Sequence, residues 1–428
     1  MKNGLAHQFV FLVLLSFLIL LFSACSQDAL PDDYMDSLLE TEQMYEDFIF
    51  FRSYMENDYP LYTTLKELSD PDMAMDDFDE LIKQCRTNNG LYQHMNALIA
   101  RINGSILPGR LHILDMMHYQ ALSELYADSS PWSISLGAQD ILDHYQFTLD
   151  EMDPYGKLPH SIKELSEKPI DENISSNVEV KVIEEGRTVI IRIDSFDYLY
   201  GGGIPDQIHS IRESYVDFFT DLYTNYENYE NVIFDITGNS GGYTEFWEDM
   251  IVRMNIRDTI SWTTNTLYNH GEMNGPAVES LKSSGQATVH MINELPDYPS
   301  IDSDAKSQFD SFIIYNYSQL PEENNAPILN GKIWVAVDEA TKLEADEFAA
   351  FCIGTGFAEV VGRQTGGGGI SPKNYFELPN SKFVISTEIG YGLNADGSSN
   401  ATTGTLPNYI SDESEWPLDT CVRIIDGN

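Results

Sequence analysis

The stretch VDEATKLEADEF, residues 337–348, decides how this chain is read. It continues an apolar run, IWVAV (333–337), that reads as a buried strand, and it opens a helix from about Leu343. Thr341 suits the backbone groups left open at a helix start. Glu344, Asp346 and Glu347 crowd the first turn, where acids complement the helix dipole. Upstream, NVIFDITGNSGG (231–242) repeats the plan: a short apolar strand, a glycine-rich turn, then a helix over about 246–254. Downstream comes VVGRQTGGGG (360–369). Val178, Val180 and Val182 alternate with polar residues, Gly186 turns the chain, and 189–193 follows as a second strand, which is a hairpin signature. Strands alternating with helices argue an α/β fold with a partly parallel sheet.

Three of these motifs arrive in a telling order: TGNSGG, TKLEADEF and GRQTGGGG. Together they resemble the core of the tail-specific, or C-terminal processing, serine peptidase family, which includes the tricorn core. A late GTLPN (404–408) is similar to that family's closing G-x-x-P-D. The resemblance covers residues 176–412. It implies a crotonase-like α/β peptidase core with a mixed sheet and flanking helices.

In that family the helix start usually reads T-x-S-A-x-[ED]-x-F, and its Ser is the nucleophile. Here the position is Leu343, whose side chain has no hydroxyl to attack a carbonyl. One branch takes a Lys near the G-x-x-T-x-G-x-G loop as base, and Gly368 stands at the aligned position. The tricorn-like branch takes a His from a segment like D-G-H-T. The nearest match is INGSILPGRLHIL (102–114), where Arg110 falls at the expected His and His112 lies two residues on. Arg is never deprotonated in a protein, so His112 is the shifted candidate base. The family's D-x-R-x-N-x-G-G turn, whose glycines let backbone N–H groups face an oxyanion, is matched by Asp235, Asn239, Gly241 and Gly242, with Thr237 in place of Arg. Asn239, Gly241, Gly242, Thr341, Glu344 and Thr365 are the expected cleft. Glu344 would put negative charge near the oxyanion position.

The implied function is a pseudopeptidase that binds peptide or protein segments in a former active-site cleft. The alternative is an active serine-type peptidase with a displaced nucleophile. A third reading takes Gly238-Asn239-Ser240-Gly241-Gly242 as the G-x-S-x-G elbow of an α/β-hydrolase, with Ser240 as nucleophile. That fold needs a His after its Ser and acid, and no His follows His290.

With 68 acidic against 24 basic residues the chain offers no basic stripe, which excludes nucleic acid as a partner. DPDMAMDDFDE (70–80) is acidic but lacks the Gly and spacing of a calcium loop, and the histidines are scattered singly. No metal or cofactor is expected. Residues 1–24 read as a lipoprotein signal: Lys2, an apolar stretch over 9–22, then Ser23-Ala24 before Cys25, similar to a bacterial lipobox. Cys25 is the expected lipidation site, which implies anchoring at the extracytoplasmic face of a bacterial cell membrane. The organisation then reads as a tether (25–35), a helical N-terminal domain (36–170) with no PDZ module, the peptidase-like domain (176–412) with an insertion at about 257–330, and a C-terminal extension (413–428). Cys85, Cys352 and Cys421 form no disulfide framework by spacing, and a Cys85–Cys421 pair in an oxidising compartment is left open.

Overall fold

The computed structural model describes residues 39–104, 111–125, 170–200, 207–271, 273–322 and 329–427. The described residues from Glu40 on belong to one compact unit. The signal, the tether, Cys25 and Arg110 lie outside the described residues.

The centre is a mixed six-stranded sheet. Its strands are β2 (Val178–Glu184), β3 (Thr188–Ile193), β4 (Asn231–Asp235), β8 (Lys332–Val337), β9 (Glu359–Gly362) and β13 (Tyr409–Ile410), in the spatial order β13-β9-β8-β4-β3-β2. Only the β2–β3 hairpin is antiparallel. Strands buried on both faces read as continuous apolar runs, and VIF in β4 and IWVAV in β8 are fully buried. The numbering is completed by β1 (His112–Ile113), β5 (Ile260–Tyr268), β6 (Ala287–Met291), β7 (Ser311–Gln319), β10 (Lys373–Glu377), β11 (Val384–Glu388) and β12 (Tyr391–Leu393). Within residues 257–330, β5, β6 and β7 pair antiparallel and recruit β12 into a second sheet, ordered β12-β5-β7-β6.

The helix that follows β8, Glu344–Thr355, lies between these two sheets. That position explains why its first nine residues are all buried, charged ones included. Phe348 meets Phe196 at 6.1 Å between ring centroids, and Phe351 meets Trp262 of β5 at 6.0 Å. On the other face of the six-stranded sheet, the helix Pro417–Ile425 covers Ile190, Ile233, Trp334, Ala336 and Val361 with Cys421. Cys85, Cys352 and Cys421 are all buried free thiols.

The N-terminal helices position the site indirectly. The helix Thr41–Asn57 packs on the β10–β11 hairpin. Tyr54 hydrogen-bonds Thr387 at 2.8 Å and stacks 4.5 Å from Phe376, while the buried Asp47 carboxylate accepts from the Asn380 and Ser381 backbone. Strand β1 joins the same hairpin, with His112 opposite Ser386. No described helix is long and apolar enough to cross a membrane.

Candidate functional site

Parallel β4 and β8 are neighbours, so the turns after their C-terminal ends meet, the usual place for a ligand in an open α/β sheet. Polar bonds lock the turns together. Thr341 Oγ1 donates to the Ile236 carbonyl at 3.0 Å, Lys342 N to the Asn239 carbonyl at 3.0 Å, and Gly238 N to Asp338 Oδ1 at 2.9 Å. The third motif joins them: Leu343 N donates to the Gly367 carbonyl at 2.9 Å and Gly366 N to the Thr341 carbonyl at 2.8 Å.

Leu343 sits at φ +53°, ψ −123°, one of three positive-φ non-glycine residues among those described. For a bulky side chain this conformation is an outlier, and such strain gathers at functional sites. The backbone thus keeps a strained strand-to-helix elbow whose side chain cannot use it. Replacing Leu343 by Gly removes the strain, at about 1–3 kcal/mol. It also removes a partly buried side chain worth a similar amount. We expect Leu343→Gly to leave the urea midpoint nearly unchanged. A loss as large as that of a fully buried leucine, about 3 kcal/mol or more, would show that the elbow is unstrained.

Gly241 (φ +100°) makes the close approach possible. A Cβ there would stand 2.8 Å from Leu343 Cβ and 2.4 Å from Glu344 Oε2. Its N–H is already used, donating to Asn239 Oδ1 at 2.9 Å. The N–H of Gly242 is the one that faces the cleft, and it donates to Glu344 Oε2 at 2.9 Å. The other Glu344 oxygen pairs with Lys373 Nζ at 2.5 Å. A buried carboxylate, 3% exposed, therefore occupies the place where an oxyanion would be stabilised, and a lysine holds it there. Leu343, Glu344, Gly242 and Lys373 line a cavity of about 180 Å³, with His112, Tyr243 and Ser386 in its other walls. His118 and Asp197 also line it. Asp115, hydrogen-bonded to His118 Nδ1 at 2.8 Å, holds that imidazole above its ordinary pKa.

The remaining expected residues separate cleanly. Ser240 is exposed, has no positive φ and does not line the cavity, so the strained elbow belongs to Leu343 and not to it. Thr341 is fully buried, with its hydroxyl committed to Ile236 and Asp338. Thr365 donates to Asp346 Oδ1 at 2.5 Å and accepts from Thr405 N at 2.7 Å, bracing the glycine loop from behind. Burial pushes the Asp346 carboxyl above its usual range. Gly368 has φ +88° and donates to Asn400 Oδ1 at 3.0 Å, so a lysine there would be strained. The absent Arg of the turn has a substitute: Arg192, opposite Asp235 in the β3–β4 register, donates to Asp235 Oδ2 at 3.0 Å and to Thr237.

Sequence reasoning missed Lys373 and Tyr243. The base motif is searched around Gly368, whereas the lysine that reaches the cavity opens β10, five residues on. A larger cavity of about 710 Å³ opens at the opposite ends of β8 and β9, around Lys332 and Glu359, and contains none of these groups.

The sequence profile of peptidase family S41 matches residues 187–411, more than half of the chain. Among solved structures the chain is similar to a peptidase candidate from Parabacteroides merdae, at 13% identity over 90% of this chain and 97% of that one, TM-score 0.46. It is similar to a lipoprotein from Streptococcus agalactiae, at 12% identity over 94% and 99%, TM-score 0.45. It is also similar to mature CPAF, at 11% identity over 90% and 96%, TM-score 0.45. No curated protein matches the chain.

Proposed function

The chain belongs to peptidase family S41, and from that premise we propose that it is a pseudopeptidase, a lipid-anchored extracytoplasmic protein that binds peptide segments where its relatives cut them. The observation that carries this reading is the pairing of Leu343 at the elbow with Glu344 on the Gly242 N–H. An acyl transfer there would lack a nucleophile and would develop its negative charge against a carboxylate. What remains is a cleft walled by β10, the edge strand of its sheet among the described residues, and an extended peptide is the kind of ligand such a wall takes.

The test is labelling of the purified chain with a fluorophosphonate, alongside a denatured-protein digest followed by mass spectrometry. No label and no cleavage above a blank are expected. One observation favours the displaced-nucleophile alternative: Ser386 lines the cavity and stands directly across the β1–β11 pair from His112. Labelling of the unmodified chain that Ser386→Ala abolishes would place the nucleophile there and end the pseudopeptidase reading. Labelling abolished by Ser240→Ala would move the chemistry to the exposed turn instead.

The anchoring half rests on Ser23-Ala24-Cys25. Several acyl chains hold a protein on a bilayer, whereas one binds marginally. Cys25→Ala is expected to shift the protein from the membrane pellet to the soluble fraction, or to stop its processing. Fractionation identical to wild type would refute the anchor.

A further inference from the structure

The cavity beside Leu343 already holds a carboxylate, and the groups that hold it describe a receptor. Gly242 N donates to one Glu344 oxygen at 2.9 Å, and Lys373 Nζ pairs with the other at 2.5 Å. A backbone N–H and an ammonium on the two oxygens of one carboxylate form a charge-assisted arrangement. A third donor lies in the same wall. Tyr243 is 4% exposed, its hydroxyl has no hydrogen-bond partner among the described residues, and it lines the cavity. A buried hydroxyl without a partner is costly unless something supplies one. The cavity, at about 180 Å³, has room for a carboxylate and a small side chain; a water's share of liquid volume is about 30 Å³.

Glu344 is therefore the built-in occupant of this receptor. It reaches the donors from the first residue of its helix, so its carboxylate is held by a side chain and not by the backbone. Taking the cavity as the peptide cleft proposed above, we propose that it is a carboxylate-binding site whose ligand, the carboxylate of a peptide, displaces Glu344 from Gly242 and Lys373. The carboxylate comes from a peptide C-terminus or from an Asp or Glu side chain, the chemistry being the same. The chain's net charge of −44 repels acidic segments, so the carboxylate is carried on a segment otherwise neutral or basic.

The experiment is isothermal titration of the full chain, wild type and Glu344→Ala, with three probes: N-acetyl-Ala-Ala with a free C-terminus, the same dipeptide as its amide, and N-acetyl-Ala-Asp-amide. The free acid should bind Glu344→Ala at least ~10-fold tighter than wild type, because the internal competitor is gone. The Ala-Ala amide should bind at least ~10-fold more weakly than the acid. Adding Lys373→Gln should abolish the preference for the acid. Adding Tyr243→Phe, which removes only a hydroxyl, should weaken it several-fold and serves if Lys373→Gln does not fold. Matching affinities for the Asp-amide probe and the free acid would support the site and assign it to side chains; binding of the free acid alone would assign it to C-termini. Equal binding of the acid and the Ala-Ala amide, or no gain from Glu344→Ala, would overturn the proposal. The titration reads binding and not cleavage. Fluorophosphonate labelling of the wild type would thus sink the pseudopeptidase reading and leave this one standing, while equal binding of acid and amide would do the reverse.

Discussion

The chain carrying Leu343→Ser together with Glu344→Ala is expected to react with a fluorophosphonate and to hydrolyse an activated ester, while Leu343→Ser alone stays silent. The single change restores a hydroxyl at φ +53°, the elbow conformation that the backbone has kept. It leaves Glu344 on the Gly242 N–H and paired with Lys373. The oxyanion donor is then occupied, and the lysine is engaged by a carboxylate. Removing the Glu344 carboxylate clears the Gly242 N–H and breaks this ion pair at once. Lys373, whose side chain is only 26% exposed, loses this carboxylate partner, and the introduced hydroxyl then shares the cavity with a lysine that can serve as its base. A positioned general base contributes about 10²–10⁴-fold, and one oxyanion donor about 10²–10³-fold. The double variant should therefore exceed the single one by at least ~10²-fold in ester hydrolysis. Adding Lys373→Met to it should cancel the gain. If the double variant is no faster than the single one, Lys373 is a binding lysine only and the elbow has no latent chemistry.

How far the sequence carries depends on whether a signal is local. Parallel strands β4 and β8 announce themselves as apolar runs ending in turns, and the motif order places their loops in one family core. The strand β5, ISWTTNTLY, hides inside an Asn- and Ser-rich stretch. Its buried face carries Trp262, Thr264 and Thr266, two of them polar, so its alternation is one of position and not of hydrophobicity. The site divides the same way. Leu343 and Glu344 are legible because a missing hydroxyl and an added acid are properties of single positions. Their partners are not. Lys373 reaches Glu344 only because the β10–β11 hairpin is carried to the cleft by helices near the N-terminus, through contacts such as Asp47 with Ser381. Arg192 replaces the missing arginine from a neighbouring strand, a substitution visible in the β3–β4 register and nowhere in the turn itself.

Gly242→Ala should be the most damaging small substitution in the cleft. The N–H of Gly242 faces Glu344, and its other side is pressed onto the chain at Phe196, with which it forms an isolated parallel bridge. A Cβ at this position would lie 2.3 Å from the Phe196 carbonyl carbon, 2.6 Å from its oxygen and 2.3 Å from Asp197 N. All three are backbone atoms and cannot rotate away. The flanking bonds, Phe196 N to the Gly241 carbonyl and Tyr243 N to the Phe196 carbonyl, both at 3.0 Å, would have to open to make room. Overpacking of this kind costs about 1–3 kcal/mol, and φ +147° adds strain of similar size for any residue with a side chain. A loss of about 3–5 kcal/mol is expected, and with it the position of Tyr243 and of the carboxylate receptor. Gly238→Ala is the matched control, since Gly238 has φ +81° in the same turn but nothing within 4 Å of its would-be Cβ. It should lose only about 1 kcal/mol. Thermal melts of the two variants therefore separate steric crowding from backbone conformation. Equal losses would mean that positive φ alone fixes these glycines, and that the contact with Phe196 does not set the geometry of the cleft.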